Sequence, residues 1–162
     1  MGLDQYFTAR KGTWNSFGRW DAEEGKKDNT EYPAALNVFA DYIFEQNFKS
    51  TQIKIDYQIG YFRKFNALHS YIVKNYADGV DECQDIWLTK KGIEKLLEVL
   101  KQVSEDHSKA PELLPTQSGF FFGSTEYDEY YFADVEEAIK LFEMIIANLD
   151  FDKFDLIYRA SW

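Results

Sequence analysis

Between Asp134 and Leu149 the apolar residues Val135, Ala138, Ile139, Phe142, Ile145, Ile146 and Leu149 recur every three or four positions. That spacing places them on one side of an α-helix. A few residues later the period changes: Phe154, Leu156 and Tyr158 alternate with polar neighbours into a strand that ends at Trp162. A chain carrying both periods must lay an apolar helix face on an apolar sheet face.

The rest of the chain repeats this mixture without a regular strand–helix–strand alternation. Leu3 to Ala9 reads as a strand ending in the charged turn Arg10-Lys11-Gly12. Residues 12–31, polar and rich in Gly, Asn, Lys and Glu, read as a long mobile loop, with Trp14, Phe17 and Trp20 inside it. Pro33 opens a helix with Leu36, Phe39, Ala40, Ile43 and Phe44 on one face. Ile53, Ile55 and Tyr57 alternate as a half-buried strand, Gly60 breaks it, and a helix over 61–76 follows, ended by Asp78-Gly79. Ile86-Trp87-Leu88 is a short extended segment. Thr89 caps a helix whose stripe is Ile93, Leu96, Leu97, Leu100 and Val103. Pro111 and Pro115 bracket a loop. Phe120-Phe121-Phe122, set between Gly119 and Gly123, reads as a short buried strand or a tightly packed turn. Asp134 with Glu137 has the form of a capping box. The expectation is a single α+β domain over residues 1–162, a small, mostly antiparallel sheet covered by three or four helices.

Charge narrows the choice of function. The net charge is −10, from 18 bases and 28 acids. Residues 1–77 hold ten bases and nine acids (+1), and residues 78–162 hold eight bases and nineteen acids (−11). Two knots carry the density: Asp78, Asp81, Glu82 and Asp85, then Glu126, Asp128, Glu129, Asp134, Glu136 and Glu137 interleaved with Tyr127, Tyr130, Tyr131 and Phe132. Such a chain is repelled by nucleic acid phosphates and anionic membranes, so direct binding to either is disfavoured. The acids are either a solvated face that confers solubility or a surface that meets a basic partner. There is no apolar run near 18 residues and no basic-then-apolar N-terminal segment. One cysteine excludes an intrachain disulfide.

Side chains with chemical potential are few. On a helix over 61–76, Phe62, Phe65, His69, Ile72, Val73 and Tyr76 share a face, with His69 near its centre. A histidine there is either a hydrogen-bonded core residue or a pocket-lining acid or base. Four carboxylates surround Cys83 and oppose the thiolate that a nucleophile needs. The same knot lacks the spacing of a calcium loop, and two histidines with one cysteine do not make a zinc site. The expectation is therefore no metal, no cofactor and no catalytic residue. A small-ligand cleft between helix 61–76 and segment 116–131 would set Arg63, Asn66 and His69 against Gln117, Ser118 and Tyr127.

The opening Met1-Gly2-Leu3-Asp4-Gln5-Tyr6, the run Ile59 to His69, the stretch Leu114-Pro115-Thr116-Gln117-Ser118-Gly119-Phe120-Phe121-Phe122-Gly123, and the ending through Ser161-Trp162 resemble a group of small proteins encoded by bacteriophages and prophages. The resemblance implies a phage protein in the cytoplasm of an infected bacterium, and it brings no activity or site residues with it. The leading expectation is an accessory protein that binds a host or phage protein, with a basic nucleic-acid-binding surface as one target. Its contact face would hold Asp78, Asp81, Glu82, Asp85, Glu126, Asp128, Glu129, Tyr130 and Tyr131. The alternatives are a small-ligand-binding protein or enzyme built on the cleft above, and an assembly subunit of the virion or replication machinery.

Overall fold

The computed structural model describes residues 2–16 and 50–162. Their elements are β1 (Asp4–Ser16), β2 (Ser50–Arg63), α1 (Asn66–Tyr76), β3 (Ile86–Leu88), α2 (Lys90–Glu105), a 3₁₀ turn (His107–Lys109), α3 (Ala110–Leu113), α4 (Glu129–Asn148) and β4 (Asp155–Ser161). The chain divides into two compact units, Met1–Arg10 with Asp56–Trp162, and Lys11–Ile55. Of the second unit, strand residues 11–16 and 50–55 are described. Phe17, Trp20 and the helix expected after Pro33 lie outside the described residues.

The fold is α+β, with one antiparallel four-stranded sheet in the order β2-β1-β4-β3. In β1 and β4, Asp4 stands opposite Ser161 and Arg10 opposite Asp155. β3 continues the sheet, with Ile86 opposite Tyr158 and Leu88 opposite Leu156. The period-two pattern sends Leu3, Phe7, Ala9, Phe62, Ile86, Leu88, Leu156, Tyr158 and Ala160 into the core. Helices α1, α2 and α4 add Leu68, Ile72, Ile93, Leu96, Leu100, Val135, Phe142 and Ile145 to the same cluster. Each fully buried side chain of this size contributes roughly 1.5–3 kcal/mol. Phe7 sits at the aromatic centre, with ring centroids 5.1 Å from Tyr158, 5.3 Å from Phe142 and 6.1 Å from Phe62.

Several local expectations are corrected. β1 passes through Gly12 to Ser16, so the Arg10-Lys11-Gly12 turn and the start of the 12–31 loop are strand. Gly60 is a close-approach residue within β2 and does not break the strand. A Cβ there would lie 2.5 Å from Leu141 Cδ2 on α4 and 3.3 Å from Phe7 Cβ. Phe62 and Arg63 thus belong to a strand, and the helix starts at Asn66. Residues 110–113, expected in a loop, form α3, with Pro111 in its first turn, where no N–H is required. Asp128 caps α4, accepting from the Tyr130 and Tyr131 backbone N–H groups at 3.1 and 3.0 Å. Asp134 is interior to that helix and caps nothing. Thr89 does cap α2, through Gly92 N–H at 3.1 Å. Of the two forms expected for Phe120-Phe121-Phe122, strand or turn, the turn is the one present, and Gly119 and Gly123 shape it. A Cβ on Gly119 would press to 2.7 Å on the Phe122 ring, and Gly123 has φ +88°.

Candidate functional site

The first turn of α1 separates two polar regions, one sealed and one open. His69 is 1% exposed, and both of its ring nitrogens are engaged. Nδ1 lies 2.8 Å from the Tyr158 hydroxyl, and Nε2 lies 2.9 Å from Asp81 Oδ2. Tyr158 in turn donates to Gln5 Oε1 at 3.1 Å, while Trp162 Nε1–H reaches the same Asp81 oxygen at 3.2 Å. The edge of the Phe122–His69 pair closes one side, at a centroid distance of 5.4 Å. Gln5 Nε2 is buried without a partner. Burial, reinforced by Asp81, drives the Tyr158 hydroxyl well above its ordinary range and keeps it neutral. This is the hydrogen-bonded core reading of His69, and sealing it removes the residue from any ligand cleft.

One turn earlier, Asn66 is 3% exposed and fastens a loop. Its amide N–H group donates to Phe122 O at 3.0 Å and Ser124 O at 2.8 Å, and its Oδ1 accepts from Gln117 N–H at 2.9 Å. Leu3 N–H holds the same loop through Phe121 O at 3.0 Å. Asn66 is therefore a strap, and its hydrogen-bonding capacity is used within the protein. Gln117 and Ser118 are exposed on the strapped loop. Tyr127 is half-buried and its hydroxyl accepts from Thr116 N–H at 3.3 Å. Of the six side chains expected to share a cleft, Arg63 and Asn66 line one, and Gln117, Ser118, Tyr127 and His69 do not.

That cleft has a volume of about 390 Å³ and lies between residues 63–66 and residues 123–134. Arg63 and Lys64 supply cations, and Glu126, Asp128 and Asp134 supply carboxylates. Lys64 adopts φ 63°, which folds its stem over Gly123, whose added Cβ would meet Lys64 Cβ at 3.0 Å. Burial, with the negative charge of Asp128 added, pushes the Asp134 carboxyl up to about 6. Burial, then Tyr127, raises the neighbouring Tyr131 hydroxyl, which donates to Leu114 O at 2.7 Å.

The expected acidic face divides by use. Asp81 serves His69 and Trp162, and Asp128 serves the α4 cap. Asp85 holds Arg10 at 2.7 Å and Arg159 at 3.9 Å. Tyr131 is buried and takes no place on the face. Asp78, Glu82, Glu126 and Glu129 are exposed, and among the described residues none has a basic group within 4 Å. Both knots are fastened to the start of α1, one through Asp81 on His69 and the other through Ser124 on Asn66. On the strapped loop Phe120 is 95% exposed, and in the first turn of α4 Tyr130 is 73% exposed.

Sequence reasoning passed over Phe120, Lys64 and the role of Asp134. A Phe next to glycine in an apolar triplet reads as core, and only the strap at Asn66 shows which of the three rings faces out. Among the described residues, no helix is long and apolar enough to cross a membrane and no three His, Cys, Asp or Glu side chains cluster as metal ligands. No protein-family model, curated protein or solved structure matches the chain.

Proposed function

We propose that this chain is a phage accessory protein that binds a protein partner inside the infected bacterium, through the 117–123 loop and the start of α4. The observation that carries the reading is Phe120: a large apolar ring bare to water on a loop held at Gln117, Phe121, Phe122 and Ser124. An exposed aromatic on a fixed loop binds at little cost in ordering, and aromatic anchors dominate interface energetics. The unpaired Glu126 and Glu129 alongside Tyr130 favour a basic partner surface. The test is capture from infected cells at low and high salt with the native chain, with Phe120→Ser, and with Glu126→Gln/Glu129→Gln. The expected partner is lost with Phe120→Ser at any salt and is weakened by the double variant chiefly at low salt. A partner retained equally by all three proteins sinks the proposal.

A second reading, small-ligand binding, is favoured by one observation, the cleft beside Lys64. It does not use His69, and it requires no chemistry from the protein.

A further inference from the structure

Opposite charges that share a cleft in a folded protein usually meet; in this one they stay apart. Among the described residues, Lys64, Glu126 and Asp134 have no hydrogen-bonding or ion-pair partner for their charged groups, and Arg63 reaches only Asp4, at 3.9 Å. The two cationic side chains lie close to each other. A Cβ placed on Gly2 would lie 3.2 Å from Lys64 Cε and 3.5 Å from Arg63 Nη2. The carboxylates come from the other wall, on the 123–134 segment. A purely anionic ligand would meet Glu126, Asp128 and Asp134, and a purely cationic one would meet Arg63 and Lys64. A molecule with both charges meets a complementary group for each, and at the half-buried Asp134 carboxyl that contact is screened less than in open water.

We infer that the cleft takes a small dipolar molecule of the amino-acid class, its carboxylate toward Arg63 and Lys64 and its ammonium toward Asp134 and Glu126. The inference rests on the small-ligand reading and supplies its ligand class. Apolar atoms between the two charges would meet Phe65 and Tyr130, which also line the cleft. Two glycine-like features keep the site open: Gly123 leaves room for the Lys64 stem, and the φ of Lys64 sets that stem across it.

The test titrates the full chain with glycine, 4-aminobutyrate and 6-aminohexanoate, and with butylamine and butyrate as single-charge controls, following backbone amide NMR signals. At least one amino acid should move the Lys64, Gly123 and Ser124 amides saturably, while butylamine and butyrate should bind at least tenfold more weakly. Asp134→Asn and Lys64→Asn should each weaken binding at least fivefold; asparagine tolerates positive φ, so the second variant keeps the backbone. The charged and titratable groups that share the cleft with Asp134 are Arg63, Lys64, Glu126, Asp128, Tyr130 and Tyr131. With the Asp134 carboxyl at about 6, binding should weaken about fourfold from pH 7.5 to 5.5 as that group protonates. If butylamine or butyrate binds as tightly as the best amino acid, the dipolar inference fails and the ligand reading stands. If no probe binds up to tens of millimolar, both fail.

Discussion

The sealed centre at His69 and the open cleft at Lys64 start from the same ingredients and use them oppositely. Both contain carboxylates and nitrogen bases, and both are anchored on the beginning of α1. In the centre, Asp81 closes on His69 at 2.9 Å and Tyr158 on His69 at 2.8 Å, with 1% of the histidine exposed. In the cleft, Arg63 and Lys64 line the same space as Glu126 and Asp134, and among the described residues none of these four pairs with another. Paired polar groups under cover act as structure, because separating them strands a buried charge or donor. Unpaired charges in a cleft add little to folding and leave their interaction free energy for something that binds.

The centre should therefore give the largest loss of stability. His69→Ala leaves Asp81 and the Tyr158 hydroxyl without their shared partner and opens a cavity beside Phe122. The expected cost is about 3 kcal/mol, read from urea denaturation. A cost below about 1 kcal/mol would mean that the Asp81 contact contributes nothing and would break the contrast between the two regions. Asn66→Ala comes next. It removes three hydrogen bonds on one side chain, for about 2 kcal/mol, and leaves the Phe122 carbonyl short of a donor. The same variant should speed amide exchange through residues 117–124 well beyond its effect on α2, because the strap is local. Uniform acceleration across the chain would show that Asn66 holds the whole core and not the loop.

The periodic elements were legible because a single physical variable, apolar spacing, governs them. The α2 stripe and the α4 stripe stand where the pattern puts them, and so does the β4 strand, although it starts at Asp155, after Phe154, and buries Ile157 between Leu156 and Tyr158. The helix over 61–76 was misplaced at its start because Gly60, Phe62 and Phe65 satisfy either period over so short a run. The deciding contact, Leu141 against Gly60, is 81 positions away in sequence. His69 was legible as a residue satisfied in the core, although its partners were not: Tyr158 lies 89 positions away, and Asp81 reaches it across a loop. The charge count correctly located the acids along the chain. It could not separate Asp81, Asp85 and Asp128, which hold the fold, from Glu126 and Glu129, which stand free of ion pairs among the described residues. That distinction depends on which cation or N–H group each carboxylate meets, and spacing in sequence does not encode it.

The cleft should give the smallest effect on stability, of opposite sign. Asp134 has a folded-state value of about 6 against 3.8 when unperturbed, so the native state holds a proton that the unfolded chain releases. Where the native state binds more protons, stability falls as pH rises. The favourable contribution of protonated Asp134 is complete below about 4 and is lost as pH rises through about 6. Asp106 and Asp150 shift in the other direction, held low first by Ser108 and Lys153, so the net pH curve of the native chain mixes both signs. Subtracting the curve of Asp134→Asn isolates this residue. Because the carboxyl is only half-buried, the variant should gain on the order of 1 kcal/mol over the native chain at pH 7.5, with the advantage shrinking toward pH 4. A variant less stable than the native chain at pH 7.5 would mean that Asp134 has an internal partner. The cleft would then be one more satisfied polar contact, and its difference from the His69 centre would disappear.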